Sequence, residues 1–260
     1  MIFLFKKNIK RCFAWWRGVV CGGKQEYFLD KRILLFHSVG GTPRDHKLAI
    51  RVPIEGFKRH LEYLVSCGYK AITVSELVEN GLKRREDKLI SITFDDGYKD
   101  NIEIAAPILQ QLGLTATFFI TVSYVSGSVK KKWADGNSRE YMDWRDVIKL
   151  SEMGFEIGSH MLNHVDLTAL NDAELIREFT DSKKVISGHT GKETKVFSYP
   201  YGKINQKVVA AAKGAGYIGG CSSFFGFNNV DTDRYVLKRT EIDGYDTAGD
   251  FRNKLKGCYD

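Results

Sequence analysis

The chain has 260 residues, 43% of them hydrophobic and 27% charged, a composition typical of a globular domain large enough to bury a core. No run of about 18 apolar residues occurs, so we expect no transmembrane helix. The five cysteines include no C-x-x-C pair, which argues against a disulfide framework and favours a reducing compartment. The net charge of +7 is concentrated in residues 1–20, which hold five bases and no acid. Because the remainder is nearly neutral, it offers no basic face, and we exclude nucleic acid as a partner.

The first twenty residues, MIFLFKKNIKRCFAWWRGVV, place apolar side chains three or four apart, with Lys and Arg on the other faces. This pattern is typical of a basic amphipathic helix in a membrane interface, whereas a signal peptide needs an uninterrupted apolar stretch after its charges. A helix packed on its own domain is the alternative. We therefore expect residues 1–30 to form a basic segment with peripheral membrane contact, residues 31–260 to form one domain, and the protein to be cytoplasmic.

From residue 32 onward, short apolar runs alternate with amphipathic stretches of helical period. The runs predict strands over residues 32–39, 88–94, 115–122, 155–160, 195–200, 217–223 and 235–242. The stretches predict helices over residues 54–68, 101–113, 144–154, 172–188 and 205–216. Strands that are apolar throughout and alternate with helices form parallel sheets buried on both faces. With about seven such units, we predict an α/β fold, a distorted (β/α)7-type barrel.

Four of the predicted strands carry reactive or polar side chains at or just after their ends. They are His37, Asp95, Asp96, His160 and the segment SYPYG at 198–202. In a parallel barrel the carboxyl ends of the strands meet at one face, where the chemistry of such folds is found. The long polar connection over residues 123–143 also follows a strand, so it is either a functional loop at that face or a surface excursion.

His160 and His164 are four residues apart, a spacing that one helical turn would convert into two imidazoles on one face. Such a pair can bind one metal ion, although the spacing alone is a weak signal. Two histidines and a carboxylate from a neighbouring strand end make a three-ligand site with open positions, as catalytic metal sites have. A divalent ion would also balance the doubled charge of Asp95 and Asp96, with one carboxylate as ligand and the other as proton acceptor.

Three segments, TFDDG at 93–97, SHMLNH at 159–164 and FSYPYG at 197–202, resemble the first three motifs of the polysaccharide deacetylases, carbohydrate esterase family 4. A weaker resemblance covers residues 33–243. It implies a metal-dependent hydrolase that removes N-acetyl groups from an N-acetylated sugar in a polysaccharide or a lipid-linked surface glycan. The implied cofactor is one divalent metal ion, zinc in the first place, with cobalt, nickel or manganese as alternatives.

The resemblance also implies a role for each matching residue. Asp96, His160 and His164 would bind the metal, and Asp95 would be the general base. Tyr201, at the aromatic position of the third motif, would donate its backbone N–H to the oxyanion. The amine leaving group would still need a proton from a general acid.

The sequence departs from the family pattern at two motif positions. Ser198 replaces the Arg of the third motif, and Arg239 near the end of the last predicted strand is a candidate to orient the base instead. A surface or core-edge arginine is the alternative reading of Arg239. Met161 replaces the usual Ser or Thr of the second motif, which removes a hydroxyl but no ligand. Asp166 is a candidate to support a histidine N–H, or else the N-cap of the residues that follow it.

A third departure concerns the general acid. The last motif of the family supplies a C-terminal histidine, and here no histidine follows His189. The segment around His37 resembles the YHS segment of the poly-N-acetylglucosamine deacetylase branch, in which the motif order is permuted and an N-terminal histidine has this role. Phe36 replaces the Tyr of that segment. We assign His37 as the general acid, because a histidine that only fills the core would leave the role empty.

Two other functions stay open at this point. The same fold and metal site can serve a hydrolase of another non-peptide carbon–nitrogen bond, in an amide or a cyclic imide. The replaced arginine and the displaced acid would fit a non-catalytic glycan-binding member. The retained Asp95 argues against that member, because a binding protein does not require a base beside a metal.

Overall fold

The computed structural model of the protein describes residues 31–45, 49–84, 88–129, 131–132 and 138–259. The predicted amphipathic segment, residues 1–30, lies outside these ranges, so its membrane contact stays a prediction. Within them, no helix combines the length and the hydropathy needed to cross a bilayer.

The described strands are, in chain order, β1 (Arg32–Phe36), β2 (Ser38–Val39), β3 (Arg51–Val52), β4 (Lys70–Ala71), β5 (Leu89–Phe94), β6 (Thr117–Ile120), β7 (Lys131–Lys132), β8 (Ser138–Arg139), β9 (Glu156–Ser159), β10 (Val196–Ser198), β11 (Gly219–Cys221) and β12 (Thr240–Glu241). One curled sheet has the order β11-β10-β9-β6-β5-β1-β12, and β4 pairs with the start of β5. All neighbours in this sheet are parallel. The carboxyl ends of its strands therefore share one face.

The two edges of the sheet approach each other through the stretch that precedes β12. Leu237 pairs in parallel with Cys221 at the end of β11, and the Ser222 N–H donates to the Leu237 carbonyl at 2.8 Å. Three residues further on, Thr240 pairs with Leu34 of β1. The strand predicted over 235–242 is thus shortened to a bridge and two residues. The distorted (β/α)7-type barrel predicted from the sequence is confirmed.

The described α-helices are α1 (Ile54–Ser66), α2 (Val74–Glu79), α3 (Ala106–Gln111), α4 (Val122–Val125), α5 (Trp144–Glu152), α6 (Asp172–Thr190), α7 (Gln206–Gly214) and α8 (Ala248–Leu255). The five predicted helices are confirmed, and the one predicted over 101–113 begins with a π-helical turn at Asn101–Ala105 before α3. Helices α2, α4 and α8 were not predicted from the sequence, because helices of eight residues or fewer are too short to show a period.

Helix α6 illustrates how local sequence sets the element boundaries. The Asn171 side chain accepts from the Glu174 N–H, and the Glu174 carboxylate accepts from the Asn171 N–H, both at 3.0 Å. Such a capping box stabilises a helix start by about 1 kcal/mol. The helix ends at Gly191, whose φ of 67° is the left-handed conformation that glycine adopts without cost.

Stacked phenylalanines lie directly under the face formed by the carboxyl ends of the strands. The rings of Phe36, Phe94 and Phe118 lie on the adjacent strands β1, β5 and β6, with centroid distances of 5.5 and 4.8 Å and no exposure to solvent. Full burial of one such side chain stabilises the fold by roughly 1.5–3 kcal/mol. Since His37 and Asp95 directly follow Phe36 and Phe94, both are attached to the rigid part of the core.

Candidate active site and metal centre

The turn after β5 separates the two adjacent carboxylates. The Asp95 N–H continues the ladder of β5 by donating to the Phe36 carbonyl at 3.0 Å. Asp96 and Gly97 then adopt φ values of 77° and 82°. For a residue with a side chain this left-handed conformation costs about 1–2 kcal/mol, a strain typical of functional sites. The turn gives the two carboxylates different surroundings although they are neighbours in sequence.

Asp95 is held by a buried guanidinium. Nη1 and Nη2 of Arg239 donate to Oδ1 and Oδ2 of Asp95, both at 2.8 Å. The Ser198 hydroxyl donates to Asp95 Oδ2 at 3.0 Å and accepts from Arg239 Nη2 at 2.8 Å. Burial by itself would raise the pKa of Asp95, but the charge of Arg239 outweighs it and holds the pKa below its ordinary value. The structure thus places Arg239 against Asp95 and excludes the surface alternative.

Asp96, His160 and His164 converge on one point. Each offers a ligand atom, and these atoms lie within 4.8 Å of one another. Asp96 Oδ1 lies 3.2 Å from His164 Nε2 and 3.5 Å from His160 Nε2. This oxygen is buried and accepts no hydrogen bond within the described ranges. A buried carboxylate oxygen aimed at two imidazole nitrogens suits a divalent metal ion, so the residues present fit such a cofactor.

The protonation of His160 agrees with a ligand role. Its Nδ1 lies 2.9 Å from the Ser198 carbonyl, which can only accept, so Nδ1 carries the proton and Nε2 presents a lone pair. Burial, which disfavours the imidazolium, lowers the pKa of His160 to about 4 despite the nearby carboxylates. Burial would raise the pKa of Asp96, but the contact with His164 holds it well below its ordinary range. At neutral pH the site therefore holds a carboxylate and a neutral imidazole.

The helical turn predicted for the segment 160–164 is wrong, although the two imidazoles do meet, with ring centroids 4.9 Å apart. The segment is a loop in which Met161 and His164 have φ values of 67° and 51°. The Met161 side chain is fully buried in the core. Two left-handed residues, rather than one helical turn, bring His160 and His164 together.

His37 lies at the rim of the same site, half-buried. Its carbonyl accepts from Asn101 Nδ2 at 2.8 Å, and the Ser38 hydroxyl donates to Asp100 Oδ2 at 2.5 Å. These bonds fix the backbone on which the imidazole is carried. His37 is close enough that its charge would lower the pKa of both site aspartates. The structure therefore brings the N-terminal histidine to the carboxylates, 58 residues away in sequence from Asp95.

Tyr201 forms another part of the rim. It has a φ of 60° in the short 3-10 turn Pro200–Gly202, and its side chain is 62% exposed. The ring stands edge-on to the His164 ring, with centroids 4.6 Å apart. Gly202 allows the turn to pass close to Ser223, because a Cβ at this position would lie 2.4 Å from the Ser223 side chain. The turn therefore lies beside the candidate metal ligand His164.

Asp166 does not support a histidine. Its Oδ1 accepts from the Thr168 N–H at 3.1 Å, which caps the 3-10 turn Leu167–Ala169, and its Oδ2 pairs with Lys203 Nζ at 2.5 Å. His164 Nδ1 is buried and has no hydrogen-bond partner in the described part of the chain. The predicted support by Asp166 is corrected to the capping alternative, because the N–H and hydroxyl of Thr168 donate to one oxygen and Lys203 pairs with the other.

A row of three tyrosines that the sequence did not predict borders the candidate metal ligand His164. Tyr124 stacks on His164 with centroids 5.6 Å apart, Tyr141 lies 4.5 Å from Tyr124, and Tyr98 lies 5.1 Å from Tyr141. Tyr124 and Tyr141 lie near the two ends of the long connection 123–143, so these ends lie at the functional face. Tyr124 lies in the four-residue helix α4, and Tyr98 and Tyr141 form an isolated bridge, so none of them belongs to a stretch long enough to show a period.

The chain was compared with known families and proteins. A family model described as polysaccharide deacetylase matches residues 82–219, more than half of the chain. YxkH of Bacillus subtilis (strain 168), which is named as a polysaccharide deacetylase, is 30% identical over 212 residues, 81% of this chain and 70% of that protein. The poly-beta-1,6-N-acetyl-D-glucosamine N-deacetylase of Staphylococcus aureus is 25% identical over 167 residues, 62% of this chain. This chain spans 57% of that enzyme, less than two thirds of its length.

Solved structures give the same fold. The Streptococcus pyogenes deacetylase PplD, solved in complex with acetate, matches with a TM-score of 0.73 at 19% identity, covering 87% of this chain and 98% of that chain. The match confirms the barrel fold. Fold, motif order and the family match agree: the chain belongs to the polysaccharide deacetylase family.

Proposed function

We propose that the protein is a metal-dependent N-deacetylase that hydrolyses the acetamide of an N-acetylated sugar in a polysaccharide or a lipid-linked glycan. The observation that carries the proposal is the pair of differently held carboxylates at one strand end. Asp95 is locked by Arg239, whereas Asp96 faces two imidazole nitrogens. A glycan-binding protein needs no buried, oriented carboxylate beside a metal centre. The name of the Staphylococcus aureus relative supports an N-acetylglucosamine polymer as the substrate class.

Asp96, His160 and His164 would hold the metal ion. Carboxylate and imidazole ligands suit zinc first, and cobalt, nickel and manganese are the alternatives. When bound, a divalent ion in such a site acts as a Lewis acid toward water and toward the amide carbonyl. The Ser198 carbonyl fixes the orientation of His160, as partners of metal-binding histidines commonly do.

Asp95 would accept the proton of the attacking water. Its low pKa keeps it ionised at neutral pH, and the two bonds from Arg239 fix the direction of its oxygens. A well-placed general base accelerates proton transfer by about 10²–10⁴-fold. Arg239 acts as the positioning residue for this base, and Ser198, where the family motif has its arginine, completes the contact.

His37 and Tyr201 would complete the reaction. The tetrahedral stage places negative charge on the former carbonyl oxygen, and the backbone N–H of Tyr201 would donate to it. His37 would then protonate the amine as the carbon–nitrogen bond breaks, which releases acetate and the free amino sugar. The anchored backbone of His37 beside the carboxylates supports this role, and with it a place near the poly-N-acetylglucosamine deacetylase branch.

The test is acetate release by the purified protein, first treated with a chelator and then resupplied with zinc, cobalt, nickel or manganese. Chitooligosaccharides, poly-N-acetylglucosamine fragments and a lipid-linked N-acetyl sugar are the substrates, and Asp95→Asn is the control. We expect acetate from at least one substrate, lost on chelation and in the control. Bound metal without acetate would favour another amide or a cyclic imide. A protein that binds no metal would contradict the proposal.

The proposal also includes a cytoplasmic protein with peripheral membrane contact through residues 1–20, supported by the amphipathic pattern of this segment. Such contact would suit a lipid-linked or nascent glycan. Co-sedimentation of the full chain with anionic vesicles tests it, and a variant with Lys6, Lys7, Lys10, Arg11 and Arg17 changed to Gln should remain in the supernatant. Equal sedimentation of both proteins would contradict the contact.

A further inference from the structure

Glu178 is a buried carboxylate that the mechanism above does not use. It lies on the inner face of α6, and only 5% of the residue is exposed. Its Oε2 accepts from the backbone N–H groups of Leu162 and Asn163 at 2.8 and 3.2 Å. Its Oε1 accepts from Asn163 Nδ2 at 2.7 Å. All three bonds go to the loop that connects His160 to His164.

The burial of a charged carboxylate at position 178 has to be compensated by other groups. A buried carboxylate without a cation is costly unless its oxygens accept several hydrogen bonds. Among the ion pairs of the described residues none involves Glu178, so its compensation comes from the loop. Its neighbours Leu175 and Phe179 on the same face are apolar and buried, and an apolar residue would satisfy the helix packing equally well. The carboxylate therefore serves the loop rather than α6.

The loop requires such an anchor because its backbone conformation is unfavourable. Met161 and His164 both have positive φ, and the residue at Met161 brings no side-chain hydroxyl to tie the loop down. The carbonyls of Met161 and Leu162 accept from the N–H groups of Val122 and Ser123, at 3.1 and 2.8 Å. Glu178 holds the N–H groups, while the α4 segment holds the carbonyls. The loop is thus clamped between two elements.

We propose that Glu178 is a positioning residue for the metal centre: by fixing residues 162 and 163 it sets the spacing of the His160 and His164 imidazoles and thereby the affinity for the metal ion. This inference rests on the proposed function, since it assumes that the two histidines bind a metal. Removal of a group that orients a metal ligand without touching the metal typically weakens metal binding by about 10–100-fold.

The test measures the zinc dissociation constant of metal-free protein by competition with a chromophoric chelator, with circular dichroism as the check on folding. We expect Glu178→Leu, which removes both acceptor oxygens and with them all three hydrogen bonds, to bind zinc about 10–100-fold more weakly. Glu178→Gln should stay within about threefold of the wild type, because its amide oxygen can accept from the backbone N–H groups and its amide nitrogen can pair with a flipped Asn163 amide. Asp181→Asn is the matched control, an acid on the same helix that does not touch the loop.

The outcomes distinguish the positioning role of Glu178 from the existence of the metal centre itself. A folded Glu178→Leu variant with the zinc affinity of the wild type would overturn the positioning role. If that variant does not fold, Asn163→Ala at the exposed end of the contact takes its place, and we expect zinc binding weakened by about three- to tenfold from the loss of one bond to a charged group. Wild-type affinity in Asn163→Ala would equally overturn the role. A wild-type protein that binds no zinc, cobalt, nickel or manganese would instead overturn the proposed metal centre.

Discussion

The contact between Arg239 and Asp95 allows a quantitative test of the proposed base. Arg239→Met removes two charge-assisted hydrogen bonds to Asp95, one bond to Ser198 and the bond from Nε to the Ser222 carbonyl, while the residue volume is largely kept. Both partners of the ion pair are at most 4% exposed in their side chains. Removal of one partner of such a buried pair destabilises a protein by about 3–5 kcal/mol, because the other charge is left buried and unpaired.

The magnitude should depend on the charge left behind. In the background of Asp95→Asn, Arg239→Met should cost about 2 kcal/mol less than in the wild type, because no carboxylate is stranded. Denaturant unfolding of the four proteins of this cycle measures the coupling. Arg177→Met is the matched control: the Arg177 side chain is 75% exposed and its Nε lies 3.9 Å from Asp181 Oδ2, so we expect a change of less than about 0.5 kcal/mol.

Activity gives the second readout of the same variant. Without the two guanidinium donors, the Asp95 carboxylate is no longer held in one orientation. Acetate release by Arg239→Met should therefore fall by about 10²–10⁴-fold at unchanged metal content. Arg239→Lys keeps the charge but not the two-pronged geometry and should recover only part of the rate. Additive free energies in the cycle, or near-normal turnover by folded Arg239→Met, would refute the assignment of Arg239 as the residue that orients the base.

Asp95→Asn should keep the metal and lose turnover, whereas His160→Ala should lose both. Measurement of metal content together with acetate release distinguishes the two variants. An active Asp95→Asn variant would contradict the assignment of Asp95 as the base. His37→Ala should slow the hydrolysis of an N-acetyl sugar by about 10²–10⁴-fold but an aryl acetate much less, since a phenolate leaves unprotonated; equal losses on both would assign the acid elsewhere. Burial raises the pKa of Asp100 to about 6, so the folded state holds this proton more tightly and the stability it contributes is lost as pH rises from about 4 through 6. Asp100→Asn should therefore gain on the wild type across that window, by up to about 3 kcal/mol in denaturant unfolding, and a pH-independent difference would contradict it.

The sequence revealed those parts of the site that lie next to strong local signals. Asp95 and Asp96 close an apolar run, and their position at a strand end followed directly. Arg239 could only be named as a candidate, because its contact with Asp95 spans 144 residues of sequence and depends on how the barrel closes. The spacing of His160 and His164 fits both a helix and a loop, and only the structure shows the loop with positive φ at Met161 and His164.

Glu178 shows a signal that was present but unused. The residues buried by α6 are spaced as one helical face, and a glutamate lies among them between Leu175 and Ser182. A charge on the apolar face of a helix needs a partner, and the sequence does not say which one. Its partner is the backbone of a loop, and backbone groups leave no trace in the side-chain pattern.

The closure of the sheet by β1 and β12 has a consequence for the timing of activity during synthesis. His37 follows the first strand of the barrel and Arg239 precedes the last, yet both reach the same carboxylate region. A growing chain can pair β1 with β5 early, but it cannot orient Asp95 until residue 239 has emerged and joined the sheet. On the proposed mechanism, hydrolysis would begin only after the last step of barrel assembly, and acetate release from a nascent chain would report that the sheet has closed.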